Sequence, residues 1–333
     1  MKIDMFNHIL PKRFFDKMTE VNPNLVDIGK RFRNIPVLVD LDARFRVMDL
    51  FEDYTQVISL PNPPEVLGGP THCAEVCTIA NDCMAELVDQ YPDRFLAFVA
   101  AIPMNDPDRA MLELERAITT LKASGVQLHT NVLGRPIDSP EFKPVFAMMH
   151  DYDLPIWLHP TRTADFADYP SEDKSQYEIW WAFGWPYETS VAMARLVFGY
   201  YFDEFPNLKI ITHHMGGMIP YFEGRVGPGW EQLGSRTTHE DYSPILKNLK
   251  HPHAEYFRMF YADTALFGSL AGTVCGLNYF GSDHVVFASD SPFDPEKGPA
   301  YIRETIRVID SLPISEAERS KIYEGNARRL LNI

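Results

Sequence analysis

Side chains that bind metals follow apolar runs at widely separated points of the chain. They are His8, His159, the adjacent pair His213 and His214, and Asp290. Imidazole and carboxylate groups are common protein ligands of zinc and similar divalent ions. If the apolar runs are parallel strands of one barrel, the residues that follow them meet at its C-terminal face. The spacing therefore predicts one shared metal site rather than separate structural histidines.

One position in this series departs from a usual metal-binding pattern. Phe6 precedes His8 by two residues, and side chains two positions apart on a strand point to the same face. We therefore expect Asp4, Phe6 and His8 to share a face, with a phenyl ring where a His-x-His motif has its first imidazole. A phenyl ring offers no ligand atom, so any metal at this site must be held without that group.

The chain alternates short β-branched and aromatic runs with amphipathic helical stretches, such as 106–122 and 187–205. This alternation indicates repeated βα units and a parallel sheet. With eight such runs, the predicted fold is α/β, a (β/α)8 TIM barrel formed by residues 1–333 as a single domain. The predicted strands are 2–7, 56–60, 95–102, 126–130, 155–159, 208–213, 257–262 and 285–289.

Two insertions follow predicted strands and therefore belong to loops over the C-terminal face, where barrel enzymes bind substrate. They span residues 10–54 and 161–186. The second carries Trp180, Trp181 and Trp185. These rings either line a substrate pocket or pack the inserted loop onto the barrel, and the sequence favours neither role.

Composition excludes several classes of function. The chain has 46 acidic and 31 basic residues, a net charge of −15, so it is expected to repel nucleic acid and anionic membranes. No apolar stretch approaches the roughly 20 residues that cross a bilayer. Its four cysteines are unevenly spaced and suggest reduced thiols. We expect a cytoplasmic protein that acts on a small molecule.

These motifs together resemble the amidohydrolase-related superfamily. Within it, the chain is similar to the metal-dependent, non-oxidative decarboxylases typified by 2-amino-3-carboxymuconate-6-semialdehyde decarboxylase, with resorcylate and carboxyvanillate decarboxylases as relatives. The resemblance covers essentially the whole chain. Its motifs lie at residues 1–11, 125–128, 158–160, 186–189, 214–217, 224–225, 289–293 and 325–327.

The resemblance implies a role for each site residue. It assigns His8, His159 and Asp290 as ligands of one divalent ion, zinc or alternatively manganese, and His214 as the general acid or base. Asp290 is a second candidate for carrying the proton. The first ligand of the family falls at Phe6, which leaves three. Because neighbouring strand residues point to opposite sides, only one of His213 and His214 can face the barrel axis. The resemblance favours His214, which implies that His213 faces outward.

The resemblance and strand-end position also suggest substrate contacts. Arg33 resembles a residue that meets a substrate carboxylate, with Arg31 close by, and Arg225 resembles one that reaches a neighbouring subunit's pocket, which implies a homodimer. His129, at the end of the fourth predicted strand, is expected to be a pocket or packing residue, with metal ligation as the alternative. Trp185 is the expected aromatic contact.

The predicted function is metal-dependent decarboxylation of a small aromatic or unsaturated carboxylic acid. Two alternatives remain open at this point. One is a mononuclear hydrolase, in which a metal-activated water attacks a lactone, ester or amide. The other is a metal-free barrel that only binds a ligand, having lost its metal with the replacement at Phe6.

Overall fold

A computed structural model describes residues 1–23 and 28–333. Residues 24–27, within the predicted insertion 10–54, lie outside the described part. Within the described residues, eight parallel strands form the barrel, as the sequence predicts. They are, in chain order, Lys2–His8, Tyr54–Ser59, Phe95–Phe98, Val126–His129, Ile156–His159, Ile210–Thr212, Tyr261–Asp263 and Val285–Val286. A small antiparallel hairpin joins Asn131–Val132 to Arg135–Pro136 after the fourth strand.

Backbone hydrogen bonds close these strands into a cylinder. The first three strands pair in order, and the fourth to eighth strands form a second parallel series. A parallel bridge between Ala100 and Val126 joins the two series. On the opposite side, the N–H of Met5 donates to the carbonyl of Phe287 and that of Asp290 donates to Phe6. The first and eighth strands are therefore neighbours, which is the closure that a (β/α)8 barrel requires.

Helices separate the strands and cover the outside of the barrel. The α-helices are Lys12–Val21, Ile28–Phe32, Leu41–Met48, Pro70–Gln90, Pro107–Thr119, Lys143–Asp151, Ile179–Ala182, Gly184–Phe198, Tyr201–Glu204, Glu223–Val226, Ser243–Asn248, His253–Phe257, Leu270–Phe280, Pro299–Ser311, Glu316–Ser320 and Asn326–Leu331. Short 3-10 turns lie at Pro36–Leu38, Pro64–Leu67, Pro140–Phe142 and Pro228–Gln232, and a π turn at Lys321–Gly325.

Several predicted element bounds are wrong. The third strand ends at Phe98 instead of residue 102, and the eighth ends at Val286 instead of residue 289. The seventh strand begins at Tyr261 instead of residue 257, because residues 253–257 form a helix that packs on the barrel. The predicted helix 187–205 is interrupted after Phe198, where Tyr200 takes a left-handed backbone conformation with φ of 64°. Such a residue ends a helix, and a short second helix follows it.

The first strand contains a bulge that changes which residues face inward. From Asp4 to Asn7 it uses three residues where the second strand uses two. Such an extra residue breaks the alternation of faces. Phe6 then joins the buried cluster inside the barrel, whose other members include Ile3, Met5, Val57, Trp157, Ile211 and Val286. Asp4 is turned away from it, because its carboxylate accepts hydrogen bonds from Tyr54 and Ser289. The predicted common face of Asp4 and Phe6 is therefore wrong.

Within the described residues, no helix combines the length and the apolar character that a membrane span requires.

Candidate active site

Three imidazoles meet at the C-terminal ends of the first, fifth and sixth strands. One ring nitrogen from each of His8, His159 and His213 lies within 4.8 Å of those of the other two. All three side chains are buried, and His8 and His213 have no exposed surface. The barrel brings them together because parallel strands deliver their last residues to the same rim.

Each of these rings is oriented by an oxygen atom at its Nδ1. Nδ1 of His8 lies 3.1 Å from the Leu60 carbonyl, and Nδ1 of His159 lies 2.6 Å from the Pro160 carbonyl. Nδ1 of His213 contacts the Asp263 carboxylate. A ring that donates its Nδ1 proton presents the lone pair of Nε2, and this is how metal-binding histidines are commonly held.

Asp290 completes the cluster from the end of the eighth strand. Its Oδ1 lies 3.2 Å from Nε2 of His8 and 3.5 Å from Nε2 of His213. Neither contact is a hydrogen bond, so the buried Nε2 atoms of His8 and His213 are left without a hydrogen-bond partner. Buried polar atoms are rarely left in this state. A cation between the imidazoles and the carboxylate would satisfy them, so the donor set fits a divalent ion.

The protonation of three of these groups suits metal binding, whereas the fourth, His213, would have to give up a proton to a bound ion. Burial lowers the pKa of His8 and places that of His159 well below its usual value. Although burial raises the pKa of Asp290, its close contacts with His213 and His8 and the charge of the neighbouring histidines outweigh burial and place the pKa well below the usual range. Burial also opposes a charge on His213, but Asp263 and Asp290 together raise its pKa to about 9. Two carboxylates thus favour positive charge at this point.

The prediction that His213 faces outward is wrong. The sixth strand ends at Thr212, and His214, Met215, Gly216 and Gly217 all have positive φ, between 56° and 73°. This left-handed turn removes the alternation that the prediction assumed, and the rings of His213 and His214 stack with centroids 3.7 Å apart.

Glycine is required at two positions of this turn. A Cβ on Gly216 would lie 2.7 Å from Cζ of Phe280, and one on Gly217 would lie 2.5 Å from the Pro186 carbonyl oxygen.

His214 stands beside the cluster rather than in the three-imidazole group. It forms a second group with His213 and Asp290, whose ligand atoms also lie within 4.8 Å of one another. Its Nδ1 lies 2.7 Å from the Ala265 carbonyl, which leaves Nε2 for other contacts. Burial lowers the pKa of His214 to about 4, so the ring is neutral near pH 7 and can accept a proton.

His129 and Trp185 both lie against His159. The His129 ring centroid is 5.3 Å from that of His159, and that of Trp185 is 5.4 Å from it. His129 is not in either group of close ligand atoms among the described residues, so its expected place in the pocket wall stands as a proposal. Trp185 lines the cavity above the cluster, and its indole N–H donates to the Arg162 carbonyl. We call this cavity the mouth; its lining also includes Arg31, His159, Trp181, Phe267, Asp290 and Phe293.

The arginines singled out from the sequence lie in different places. Arg33 lines a surface groove with Phe32, Pro36 and other residues, whereas Arg31 lines the mouth that contains Asp290. Arg225 lies on a separate, largely apolar groove of about 760 Å³. The structure thus brings Arg31 to the cluster and places Arg33 and Arg225 elsewhere.

Asp263 was missed in the sequence, and Arg31 was named there only as a neighbour of Arg33. Asp263 directly follows the run 257–262, so the strand-end rule that identified His8 and Asp290 would have found it. Arg31 carried no signal beyond its closeness to Arg33, because a short helix in an inserted loop decides which of the two faces the mouth.

A family model described as amidohydrolase matches residues 62–333. The chain belongs to the amidohydrolase family. Among curated relatives of this amidohydrolase, the γ-resorcylate decarboxylase of Rhizobium sp. is 30% identical over 312 residues, covering 89% of this chain and 88% of the relative. The 2-amino-3-carboxymuconate-6-semialdehyde decarboxylase of Dictyostelium discoideum is 26% identical over 351 residues, covering 100% and 92%.

A solved structure gives the same result. The dihydroxybenzoic acid decarboxylase of Polaromonas sp. JS666, with bound manganese and the inhibitor 2-nitroresorcinol, superposes with a TM-score of 0.77 at 27% identity, covering 99% of this chain and 96% of the other. The predicted barrel fold, the decarboxylase branch of the superfamily and the carboxy-lyase class of enzyme are therefore confirmed.

Proposed function

We propose that this amidohydrolase removes carbon dioxide, without oxidation, from a small hydroxylated aromatic acid, using one divalent metal ion. The observation that carries this proposal is the buried cluster of His8, His159, His213 and Asp290 at the barrel rim, in which Nε2 of His8 and Nε2 of His213 have no hydrogen-bond partner. Relatives that are decarboxylases of aromatic acids support the same class of substrate.

The donor set suits either zinc or manganese. The imidazoles suit zinc, and the carboxylate suits manganese, which is also the metal bound in the Polaromonas enzyme. Bound there, the ion would draw electron density from a substrate oxygen next to the carboxylate that leaves. We therefore propose manganese or zinc, held by His8, His159 and Asp290 at least.

The mouth above the cluster fits a planar acid. Its walls include Trp181, Trp185, Phe267 and Phe293, whose flat apolar faces suit an aromatic ring. Arg31 is the cationic side chain in this lining, apart from histidine, and a guanidinium binds a carboxylate through two parallel hydrogen bonds. We therefore assign the carboxylate contact that the sequence suggested for Arg33 to Arg31.

The described side chains nearly close this mouth. Its cavity measures about 20 Å³, and a second cavity of about 60 Å³ shares His159, Trp185 and Pro61 with it. Ligand pockets commonly measure ~300 Å³ or more. Substrate binding therefore requires side chains of the mouth to move, and a rotation of Trp185 would join the two cavities.

Decarboxylation breaks the bond between the ring and its carboxyl carbon, leaves the electron pair on the ring carbon and releases carbon dioxide. That carbon must gain a proton. Near pH 7 His214 is neutral and Asp290 is ionised, so the proton comes from water or from a substrate hydroxyl, and these two side chains would accept it and pass it to the carbon. Their ligand atoms lie within 4.8 Å of one another, and the ring of His214 lies 5.3 Å from that of Phe267 in the mouth. The buried, water-poor surroundings strengthen their interaction with charge on the substrate.

We further propose that the protein is a homodimer of one-domain subunits. The groove that contains Arg225 is lined by Met218, Phe222 and Trp230, and exposed Tyr187 lies at its edge. Such an apolar surface is typical of protein contacts. Closure of the barrel by residues near both ends of the chain supports one domain over 1–333, and buried free thiols at Cys73 and Cys77 are compatible with the cytoplasm.

The direct test supplies manganese-loaded and chelator-treated protein with 2,6-dihydroxybenzoate and with a carboxyvanillate, and measures carbon dioxide and the decarboxylated phenol. We expect stoichiometric release of both from loaded protein only. Hydrolysis of lactones without any release of carbon dioxide from the acids would contradict the proposal and favour a hydrolase. The homodimer is tested by the mass of the protein in solution. If Arg225 reaches the pocket of the neighbouring subunit, a mixture of the Arg225→Ala and Asp290→Ala variants should be more active than either variant alone.

A further inference from the structure

We propose that His213 supplies the imidazole ligand that the first strand lacks, so that the metal is held by His8, His159, His213 and Asp290. This inference rests on the proposed metal-dependent function and adds the identity of the fourth ligand. The replacement at Phe6 would then not reduce the number of protein ligands. The missing imidazole is provided by the sixth strand instead of the first.

Spacing between the rings supports this exchange. Centroids of His8 and His159 are 5.3 Å apart, and His213 lies 6.0 Å from the first and 5.2 Å from the second. Three rings that converge on one ion are expected to be spaced almost equally. The Phe6 centroid is 5.8 Å from both His8 and His159, so positions 6 and 213 stand in nearly the same relation to the other two ligands.

The two positions exclude each other as ligand sites. The Phe6 ring lies flat on His213, with centroids 3.9 Å apart and planes 16° apart. Both side chains have no exposed surface. A second imidazole at position 6 would therefore compete with His213 for the same side of the ion. The phenyl ring instead gives His213 an apolar wall that holds the plane of its ring.

The remaining contacts of His213 leave one atom for the metal. Its Nδ1 is engaged by the Asp263 carboxylate, and its buried Nε2 lies 3.5 Å from Asp290 with no hydrogen-bond partner. A carboxylate behind a histidine is the common arrangement at protein metal sites, because it fixes the ring and increases its electron donation. Nε2 of His213 is thus oriented toward the ligands of the other strands.

The experiment counts imidazoles on bound zinc by X-ray absorption and measures zinc affinity by equilibrium dialysis. The wild type is expected to show three imidazoles. His213→Ala is expected to show two and to bind zinc more than about 100-fold more weakly, beyond the 10- to 100-fold loss typical when a supporting contact is removed. An unchanged count and affinity in His213→Ala would overturn the inference.

A paired variant separates ligand loss from damage to the fold. In Phe6→His/His213→Ala the imidazole is moved back to the first strand, and we expect the count to return to three and at least a tenfold recovery of affinity over His213→Ala. Phe6→His alone is expected to remain at three. Thermal melting in chelator shows whether each apoprotein folds. If His213→Ala folds and the double variant recovers nothing, the inference fails.

Two controls test whether the effect belongs to His213. His214→Ala is expected to keep three imidazoles. If the count instead fell to two in His214→Ala and stayed at three in His213→Ala, the ligand would be His214. His253→Ala removes another buried histidine, which contacts the carbonyls of Val226 and Gly227, and should leave affinity unchanged. A wild type that binds no zinc or manganese would instead defeat the proposed function itself.

Discussion

The phenyl ring of Phe6 stacks on the imidazole of His213, with ring centroids 3.9 Å apart. The bulge in the first strand places Phe6 inside the barrel, and the left-handed turn after Thr212 allows His213 to reach the same point. On our proposal, an imidazole from the sixth strand thus takes the place of the ligand that the family pattern has at position 6. This relationship makes a metal enzyme compatible with a sequence that lacks the first histidine of the family pattern.

Asp263→Asn should weaken metal binding through His213. Oδ1 of Asp263 accepts hydrogen bonds from the backbone N–H groups of His214 and Ala265, so the variant must keep its oxygen there and turn its NH2 toward Nδ1 of His213. Two donors would then face each other, which favours the tautomer with the proton on Nε2. We expect zinc or manganese affinity, measured by equilibrium dialysis, to fall about 10- to 100-fold.

A matched control is Ser59→Ala, which removes a hydroxyl 3.3 Å from Nδ1 of His8. The Leu60 carbonyl remains as acceptor for the same nitrogen, so affinity should change little. Equal losses in the Ser59 and Asp263 variants would show that the orientation of His213 is not what matters.

Much of this site is predictable from the order of strands, and the rest depends on local backbone geometry. Convergence of His8, His159 and Asp290 follows from their positions at the ends of barrel strands. The inward orientation of His213 does not, because alternation ends with the strand, and the Gly216–Gly217 pair signals a turn without giving its handedness. The bulge beside Phe6 likewise depends on pairing with the second strand.

Arg31→Met should reduce recognition of a carboxylate substrate. Arg31 lies in the mouth beside Asp290 and donates to the Phe293 carbonyl. A hydrogen bond to a charged group contributes about 1.5–3 kcal/mol, so kcat/KM for the acid should fall about 10- to 100-fold. Steady-state kinetics measure it. Arg33→Met is the control and should change kcat/KM little. If Arg33→Met had the larger effect, the carboxylate contact would belong to Arg33, as the sequence suggested.

The stability of Glu65→Gln relative to the wild type should increase as pH rises from 4.5 to 7. Burial raises the pKa of Glu65 to about 7, although the N–H of Met104 donates to its Oε1. The unfolded chain loses this proton near pH 4.5 and the folded protein near pH 7, so the wild type loses stability between these values and the amide does not.

The difference corresponds to about 3 kcal/mol in the free energy of unfolding. It is measured as the gap between the two urea midpoints at pH 4.5, 6 and 8, multiplied by the slope of unfolding. The gap should grow through this range and level off above pH 7. A gap that is constant or shrinks as pH rises would mean that the carboxyl is ionised normally in the fold.

Gly125→Ala should destabilise the barrel by overpacking it. A Cβ at this position would lie 2.3 Å from the Pro155 carbonyl oxygen and 2.4 Å from the ring of Trp157, which is fully buried inside the barrel. Neither neighbour is free to move, so we expect a loss of about 1–3 kcal/mol in urea unfolding. Gly224→Ala has no atom within 4 Å of its new Cβ and should lose nothing. Equal effects would contradict the packing argument.

The most direct test of the proposed reaction is the mass of the organic product formed from 2,6-dihydroxybenzoate by manganese-loaded protein in heavy water enriched in ¹⁸O. Decarboxylation predicts a phenol with one deuterium on the carbon that carried the carboxylate and with no solvent oxygen. A product that contains solvent ¹⁸O would contradict the account. So would fully metal-loaded protein that leaves 2,6-dihydroxybenzoate and the other hydroxybenzoates unchanged.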